Sequence, residues 1–288
     1  MVFSLILSGN EIVQPGFMYR TYSKFIYHGS KLHYSVFGEG EKVLLMFHGF
    51  GHTHKQMREI EEALSPEFKI YNFDLFFHGF SEWNHNDTAL THDFWQRMLD
   101  AFFAENAIEK FSLLGFSLGA KVALASVELF PEKVEQLFLI APDGIKNSPF
   151  YNMATLPAIK GLFRQIILQP AIFYKLVKIL SLFRLVDKSV LRFASIQMNS
   201  RDKRRRVYYT WTVYKGLKPN IENIISILNK KEIHTEIFAG KYDRIIRSEQ
   251  VKLFADRLKN AKLSYMNSGH NNLIDEVAYH LEAEGAKK

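Results

Sequence analysis

The chain contains no cysteine and only eight prolines in 288 residues. None of its apolar runs reaches the ~18 consecutive residues that a membrane-spanning helix needs. The missing cysteine excludes disulfides, thiolate metal ligands and a cysteine nucleophile, so any nucleophile carries oxygen or nitrogen. The short apolar runs, broken by Gly, Pro and charge, predict no transmembrane helix. At the amino terminus, MVFSLILSGNE lacks a basic n-region, an adequate h-region and a small-residue cleavage site, and a cytoplasmic location is the resulting expectation.

What is present is enough apolar material, 47% of residues, to build the core of one large domain or two small ones. The charge is less evenly spread than its total of +7 implies. Residues 146 to 230 hold 16 Lys+Arg against 3 Asp+Glu, a net +13, which leaves 21 against 27, a net −6, for the rest of the chain. Such an asymmetry points the middle segment toward something anionic: a substrate, a lipid surface or nucleic acid.

Before residue 146, KLHYSVFGEG, KVLLMFHGF, FKIYNFDLF, FSLLGFS and VEQLFLIAPDG read as strands. Between them HKQMREIEEAL, FWQRMLDAFFAE and LGAKVALASVELF carry the 3.6-residue spacing of amphipathic helices. This alternation predicts a parallel sheet with helices on both faces. The pattern lapses after Gly144 and resumes at TEIFAG, followed by a helix, the strand AKLSYMNSG and a last helix. Residues 1–145 and 231–288 are therefore read as one α/β core. Residues 146–230, rich in Leu, Ile and Phe and interrupted at Pro157 and Pro170, are read as a helical cap inserted into it.

LLGFSLGAKVAL places Ser117 between Gly115 and Gly119 where a strand turns into a helix. A sharp strand-to-helix corner forces its central residue into a strained conformation and requires small neighbours. It lifts a serine hydroxyl clear of the sheet edge and sets it at a helix amino terminus. Three fixed positions are a weak signal alone, and the weight comes from the partners that such a serine needs. SGHNN supplies His270 as a base just beyond the final strand. TEIFAGKYDRII supplies Asp243 as the acid that orients it, and Asp143 in APDG is the fallback. The two oxyanion donors expected are the backbone N–H groups of Leu118, after the serine, and Phe50, in LLMFHGFG. His48 and Gly49 close that strand end.

HGFG, GFSLG, GKYDRI and SGH, in the order Ser, Asp, His, resemble the α/β-hydrolase superfamily over roughly residues 24 to 145 and 231 to 282. The resemblance implies an eight-stranded, mostly parallel sheet with a helical cap after its sixth strand. It also implies a Ser117, Asp243, His270 triad working through an acyl-enzyme, with no metal or organic cofactor. One stretch departs from the family. Its common D-x-R-G-x-G-x-S reads DLFFHGFS here, with Phe76 and Phe77 in place of Arg and Gly; Asp74, Gly79 and Ser81 still fit the turn, and the two rings either widen the apolar lining near the site or, as the favoured expectation, pack beneath the cap.

The expected activity is hydrolysis of a carboxylic ester with an apolar acyl part, with Gly49, Phe116 and His52 meeting the substrate. A thioesterase and a C–C bond hydrolase are compatible with the same triad, and a ligand-binding receptor with a silent triad is the alternative of another class. The segment KGLFRQIILQPAIFYKLVKILSLFRLVDKSVLRF, with Phe163, Ile167, Leu176 and Leu180 among basic residues, is suited to roofing an apolar tunnel. It suits an anionic or lipid-like ester, or peripheral contact with a membrane. RDKRRR beside Tyr208, Tyr209, Trp211 and Tyr214 has the ingredients of nucleic-acid binding. At helical spacing these aromatics read instead as the cap's inner wall, and no nucleic acid is expected. HGFGHTH bunches His48, His52 and His54 with no carboxylate evident beside them, so no metal site is expected.

Overall fold

Along β3 (Lys42–Phe47) successive side chains enter two different cores, Leu44 and Met46 on one side and Leu45 and Phe47 on the other. This is the period-two alternation of a strand buried on both faces. The computed structural model describes residues 19–145, 161, 164–165, 167, 169–182 and 188–285. The segment MVFSLILSGNE, Pro157, Phe163 and the side chains of Leu176 and Leu180 lie outside the described residues.

The other strands are β1 (Thr21–Tyr27), β2 (Ser30–Phe37), β4 (Phe68–Phe73), β5 (Phe111–Phe116), β6 (Val134–Ile140), β7 (His234–Gly240) and β8 (Ala261–Met266). They form one eight-stranded sheet in the order β1-β2-β4-β3-β5-β6-β7-β8. Pairing is antiparallel for β1 with β2 and β2 with β4, and parallel for every pair from β4 to β8. The eight-stranded, mostly parallel sheet expected from the sequence is the one observed.

On one face, α1 (Arg58–Leu64) and α9 (Leu273–Gly285) bury Ile60, Leu64, Leu273, Ile274 and Val277 against Leu44, Ile70, Leu114 and Phe238. On the other, α2 (His92–Asn106) and α3 (Leu118–Leu129) cover Leu45, Tyr71, Leu113 and Leu139. The Thr91 side chain caps α2 by accepting the Phe94 N–H, and Ala107, left-handed at φ 53°, ends it. Burying one such Leu, Ile or Phe is worth roughly 1.5–3 kcal/mol, so these two layers hold the sheet edge that carries the chemistry.

Residues 146–230 contribute α4 (Pro170–Leu182), α5 (Lys188–Gln197), α6 (Arg201–Tyr214) and α7 (Ile221–Lys230). Ile167, Phe173, Met198, Val207 and Tyr208 form a small core of their own. α7 does not belong with it. Although it falls inside 146–230, its Ile224, Ile225 and Leu228 join the main core beside α3. The helical periodicity is the same in a cap helix and a layer helix, so packing assigns α7 to the layer. The carboxyl end of α6 is also tied down: buried Lys121 of α3 donates to the Tyr214 carbonyl at 2.8 Å. α8 (Ser248–Ala255) completes the helices named here. Among the described residues no helix is long and apolar enough to cross a membrane.

Candidate active site

β5 is buried at every position and turns into α3 across one residue. Ser117 takes that corner with φ 51° and ψ −114°, a conformation that costs a non-glycine residue about 1–3 kcal/mol. The flanking glycines make the corner possible. A Cβ on Gly119 would stand 2.0 Å from the Phe47 carbonyl oxygen, and one on Gly115 would stand 2.4 Å from the Ala120 Cα.

Two loops at the same sheet edge bring partners to this serine. His270, after β8, has its Nε2 3.1 Å from the Ser117 Oγ and its Nδ1 2.6 Å from the Asp243 Oδ2. Asp243, after β7, is buried, and its Oδ1 accepts the N–H groups of Ile245 and Ile246 at 2.8 and 2.9 Å. With that carboxylate as acceptor, Nδ1 donates and Nε2 is left to accept the serine hydroxyl proton. The fallback acid, Asp143, is near the serine, but among the described residues it is Asp243 that meets His270 Nδ1. The Asp143 Oδ1 accepts the Gly144 N–H at 2.8 Å and its own N–H donates to the Ser117 carbonyl at 3.2 Å.

The loop after β3 lies against the serine: a Cβ on Gly49 would be 3.4 Å from the Ser117 Cβ and 2.6 Å from the Phe116 ring. Leu118 is the first residue of α3, where an N–H has no intrahelical acceptor. Among the described residues the Phe50 N–H has no acceptor either. Two imidazoles fasten this loop. The His48 Nδ1–H donates to the Gly49 carbonyl at 2.7 Å while its Nε2 accepts the Leu75 N–H at 2.9 Å. The His78 Nδ1–H donates to the Phe76 carbonyl at 3.0 Å while its Nε2 accepts the Gly51 N–H at 3.0 Å. Burial pushes His48 down to about 4, and burial, followed by the neighbouring His48, pushes His78 well below the ordinary imidazole range. Both rings are therefore neutral at pH 7, as each needs one donor and one acceptor nitrogen.

Phe116 is the residue expected from the sequence to meet the substrate. It is 2% exposed, and its ring lies between those of His52, at 5.5 Å, and His270, at 5.0 Å. A large ring at the last position of a buried strand packs under the site, where it spaces the two imidazoles. His52 faces a groove of about 340 Å³ shared with Lys55, Arg58, Asn271 and Asp275. Its pKa is lowered by burial first and by His270 second.

The carboxylate not evident beside HGFGHTH is Asp74. Its Oδ1 takes the His54 N–H and Nδ1 at 2.8 and 2.9 Å, and its Oδ2 takes the His33 Nδ1 and the Phe80 N–H at 2.9 and 3.0 Å. Burial pushes its pKa up, and the hydrogen bonds from His33 and His54 outweigh burial and hold it well below the carboxylate range. His33, His54 and Asp74 bring ligand-type atoms within 4.8 Å of one another. With both oxygens already accepting two donors each, the cluster works as a hydrogen-bonded staple of the turn after β4.

Sequence reasoning placed Asp74 in the turn after β4 but passed over His78, His33 and the bonds from His33 and His54 to Asp74. The signal for His78 was its place in DLFFHGFS, the turn facing HGFG across the sheet edge. Of the two phenylalanines there, Phe76 is buried against Trp83 at 4.9 Å, and Phe77 stacks on Tyr209 of α6 at 5.5 Å. The aromatics after RDKRRR are likewise engaged: the Tyr208 hydroxyl donates to Asp87 at 3.2 Å, and the Tyr214 hydroxyl accepts the Phe76 N–H at 2.9 Å.

Comparison with known proteins gives a consistent picture. Residues 42–277 match the profile of the family described as the alpha/beta hydrolase fold. The chain is similar to a 2-hydroxy-6-oxononadienedioate/2-hydroxy-6-oxononatrienedioate hydrolase of Pseudomonas putida, 23% identical across 83% of this chain and 85% of that one. It is also similar to a pimeloyl-[acyl-carrier protein] methyl ester esterase of Vibrio parahaemolyticus, 31% identical, but across 39% of this chain and 41% of that one. In three dimensions it resembles an alpha/beta hydrolase enzyme from a Medee basin deep-sea metagenome library, with a TM-score of 0.63 at 19% identity over 91% of this chain and 95% of the other.

Proposed function

This chain belongs to the alpha/beta hydrolase family, and on that footing we propose that it is a serine hydrolase cleaving a carboxylic ester with an apolar acyl part. The observation that carries the reading is the run of contacts from Asp243 through His270 to Ser117, at 2.6 and 3.1 Å. In the proposed cycle the Ser117 oxygen attacks the ester carbonyl as His270 Nε2 takes its proton, and Asp243 stabilises the imidazolium. The Phe50 and Leu118 N–H groups hold the oxyanion, a donor of this kind being worth about 2.7–4 kcal/mol in the transition state. Collapse breaks the bond to the alcohol, which leaves with the proton from His270. Water, deprotonated by His270, then releases the acid and restores the serine. The proposal includes helices of the segment 146–230 as a cap over the site, and action in the cytoplasm.

A second reading, a C–C bond hydrolase using the same groups, is favoured by the similarity to the Pseudomonas putida hydrolase over most of its length. Intact-mass labelling with a fluorophosphonate tests the reading without assuming a substrate. One adduct on the wild type, lost in Ser117→Ala and in His270→Ala, is the expected result. A folded wild type that takes up no label would turn the reading toward a receptor with a silent triad. Release of acid and alcohol across a series of simple esters then separates an esterase from a C–C hydrolase.

A further inference from the structure

One face of α6 presents Asp202, Arg205, Arg206 and Tyr209 to a pocket of about 420 Å³, closed on the other side by Phe77, Trp83 and Asn86. Two guanidinium groups meet there, and among the described residues neither forms an ion pair. Arg206 is half-buried, and among the described residues its guanidinium has one hydrogen bond, a long one, Nη1 to the Gly51 carbonyl at 3.5 Å. A guanidinium carries five donors and keeps its charge throughout the working pH range, so a half-buried one with a single long acceptor is under-satisfied. The walls are aromatic. Tyr209 stacks on Phe77, and Phe77 holds φ at +68° where a bulky side chain is strained. The Trp83 indole N–H, at the same pocket, has no acceptor among the described residues.

The pocket also stands at a definite place relative to the serine. Gly49 abuts Ser117, and Gly51, which Arg206 touches, is two residues further along. Two residues of chain span at most about 7 Å, which puts the guanidinium on the order of 10 Å from Ser117, or roughly nine bonds of extended chain.

We propose that this pocket binds a terminal carboxylate on the acyl part of the substrate, so that the enzyme prefers esters whose acyl chain ends in an anion held by Arg206 and Arg205. The proposal rests on the ester-hydrolase reading of Ser117. A planar carboxylate matches the guanidinium fork in two parallel hydrogen bonds, while the aromatic walls take the apolar chain leading to it. Asp202 is the one acidic side chain lining the pocket, so cations outnumber anions there by two to one.

The test compares kcat/KM for monomethyl esters of straight-chain dicarboxylic acids with that for methyl esters of monocarboxylic acids of equal length, over about four to ten carbons. At the best length the anionic ester is expected to lead by about tenfold or more, the scale of a hydrogen-bonded charge. The ratio should fall toward unity in Arg206→Gln and in Arg205→Gln. It should persist in Arg97→Gln, which removes a distant surface charge paired with Asp93. No preference at any length, or a preference surviving both pocket variants, would overturn the proposal. If no ester is cleaved at all, the hydrolase reading fails, and the pocket is judged separately by calorimetric binding of monomethyl suberate to Ser117→Ala. Binding weakened about tenfold by adding Arg206→Gln supports the pocket. Absent or unchanged binding overturns it.

Discussion

His78 Nε2 accepts the Gly51 N–H at 3.0 Å, so the turn after β4 fastens the loop after β3. This ties the proposed oxyanion donor, Phe50, to a buried residue outside the triad. His78→Ala leaves the Gly51 N–H unsatisfied, a cost of about 1–3 kcal/mol in stability. It should also lower kcat more than it raises KM, because the donor is needed most in the transition state. His78→Gln, whose amide oxygen can accept the same N–H, should restore part of kcat. Loss of stability with kcat intact would show that the loop keeps its shape without this bond.

Asp243→Asn keeps an oxygen able to accept from Ile245 and Ile246 but sets an N–H donor against His270 Nδ1. The imidazole then takes the wrong tautomer, and kcat should drop by about 10⁴-fold while the protein stays folded. Steady-state kinetics beside a thermal melt would check this. A loss under about tenfold would remove Asp243 from the role given to it.

The two neutral imidazoles make an acid-labile point. His48 is fully buried and its pKa is lowered on folding from 6.5 to about 4. The unfolded chain therefore holds more protons in that window, and stability is lost as pH falls through it. Urea unfolding should find about 2 kcal/mol less stability at pH 5 than at pH 7 from this residue. His48→Asn should show a shallower acid slope. Parallel slopes for the two proteins would argue against it.

Lys121 gives the opposite end of the scale. Burial lowers its pKa from 10.5 to about 8, although Asp143 pulls it upward. Between these values the unfolded chain again binds more protons, so this residue's contribution to stability rises with pH. Lys121→Met should therefore compare better with the wild type at pH 7 than at pH 10, by about 2 kcal/mol. A difference that does not change with pH would show the lysine to be solvated in the folded protein.

Most of the sheet could be read from the sequence because β3 to β7 are nearly continuous apolar runs between turn residues. β1 could not. TYSKFIY buries Phe25 alone, and an edge strand with one buried side chain has neither alternation nor an apolar run. Ser117, Asp243 and His270 were legible because each follows a strand, and one sheet edge gathers the carboxyl ends of the parallel strands β3 to β8. The parts played by His78 and His33 were not, since His78 meets Gly51 and His33 meets Asp74 through hydrogen bonds between segments far apart in sequence. The packing of α7 was hidden for a related reason: IENIISILNK has an apolar stripe, and a stripe does not say which surface it will meet.

The chain leaves the α/β layers beside Ser117, where the Asp143 N–H meets the Ser117 carbonyl, and returns beside Lys121, which holds the Tyr214 carbonyl. Those two anchors are one turn of α3 apart, about 6 Å along the helix. Closing a longer or shorter loop across such a gap changes the free energy only with the logarithm of its length, about 0.6 kcal/mol per doubling. On that scale, a change in the length of the chain between the two anchors costs little in loop closure.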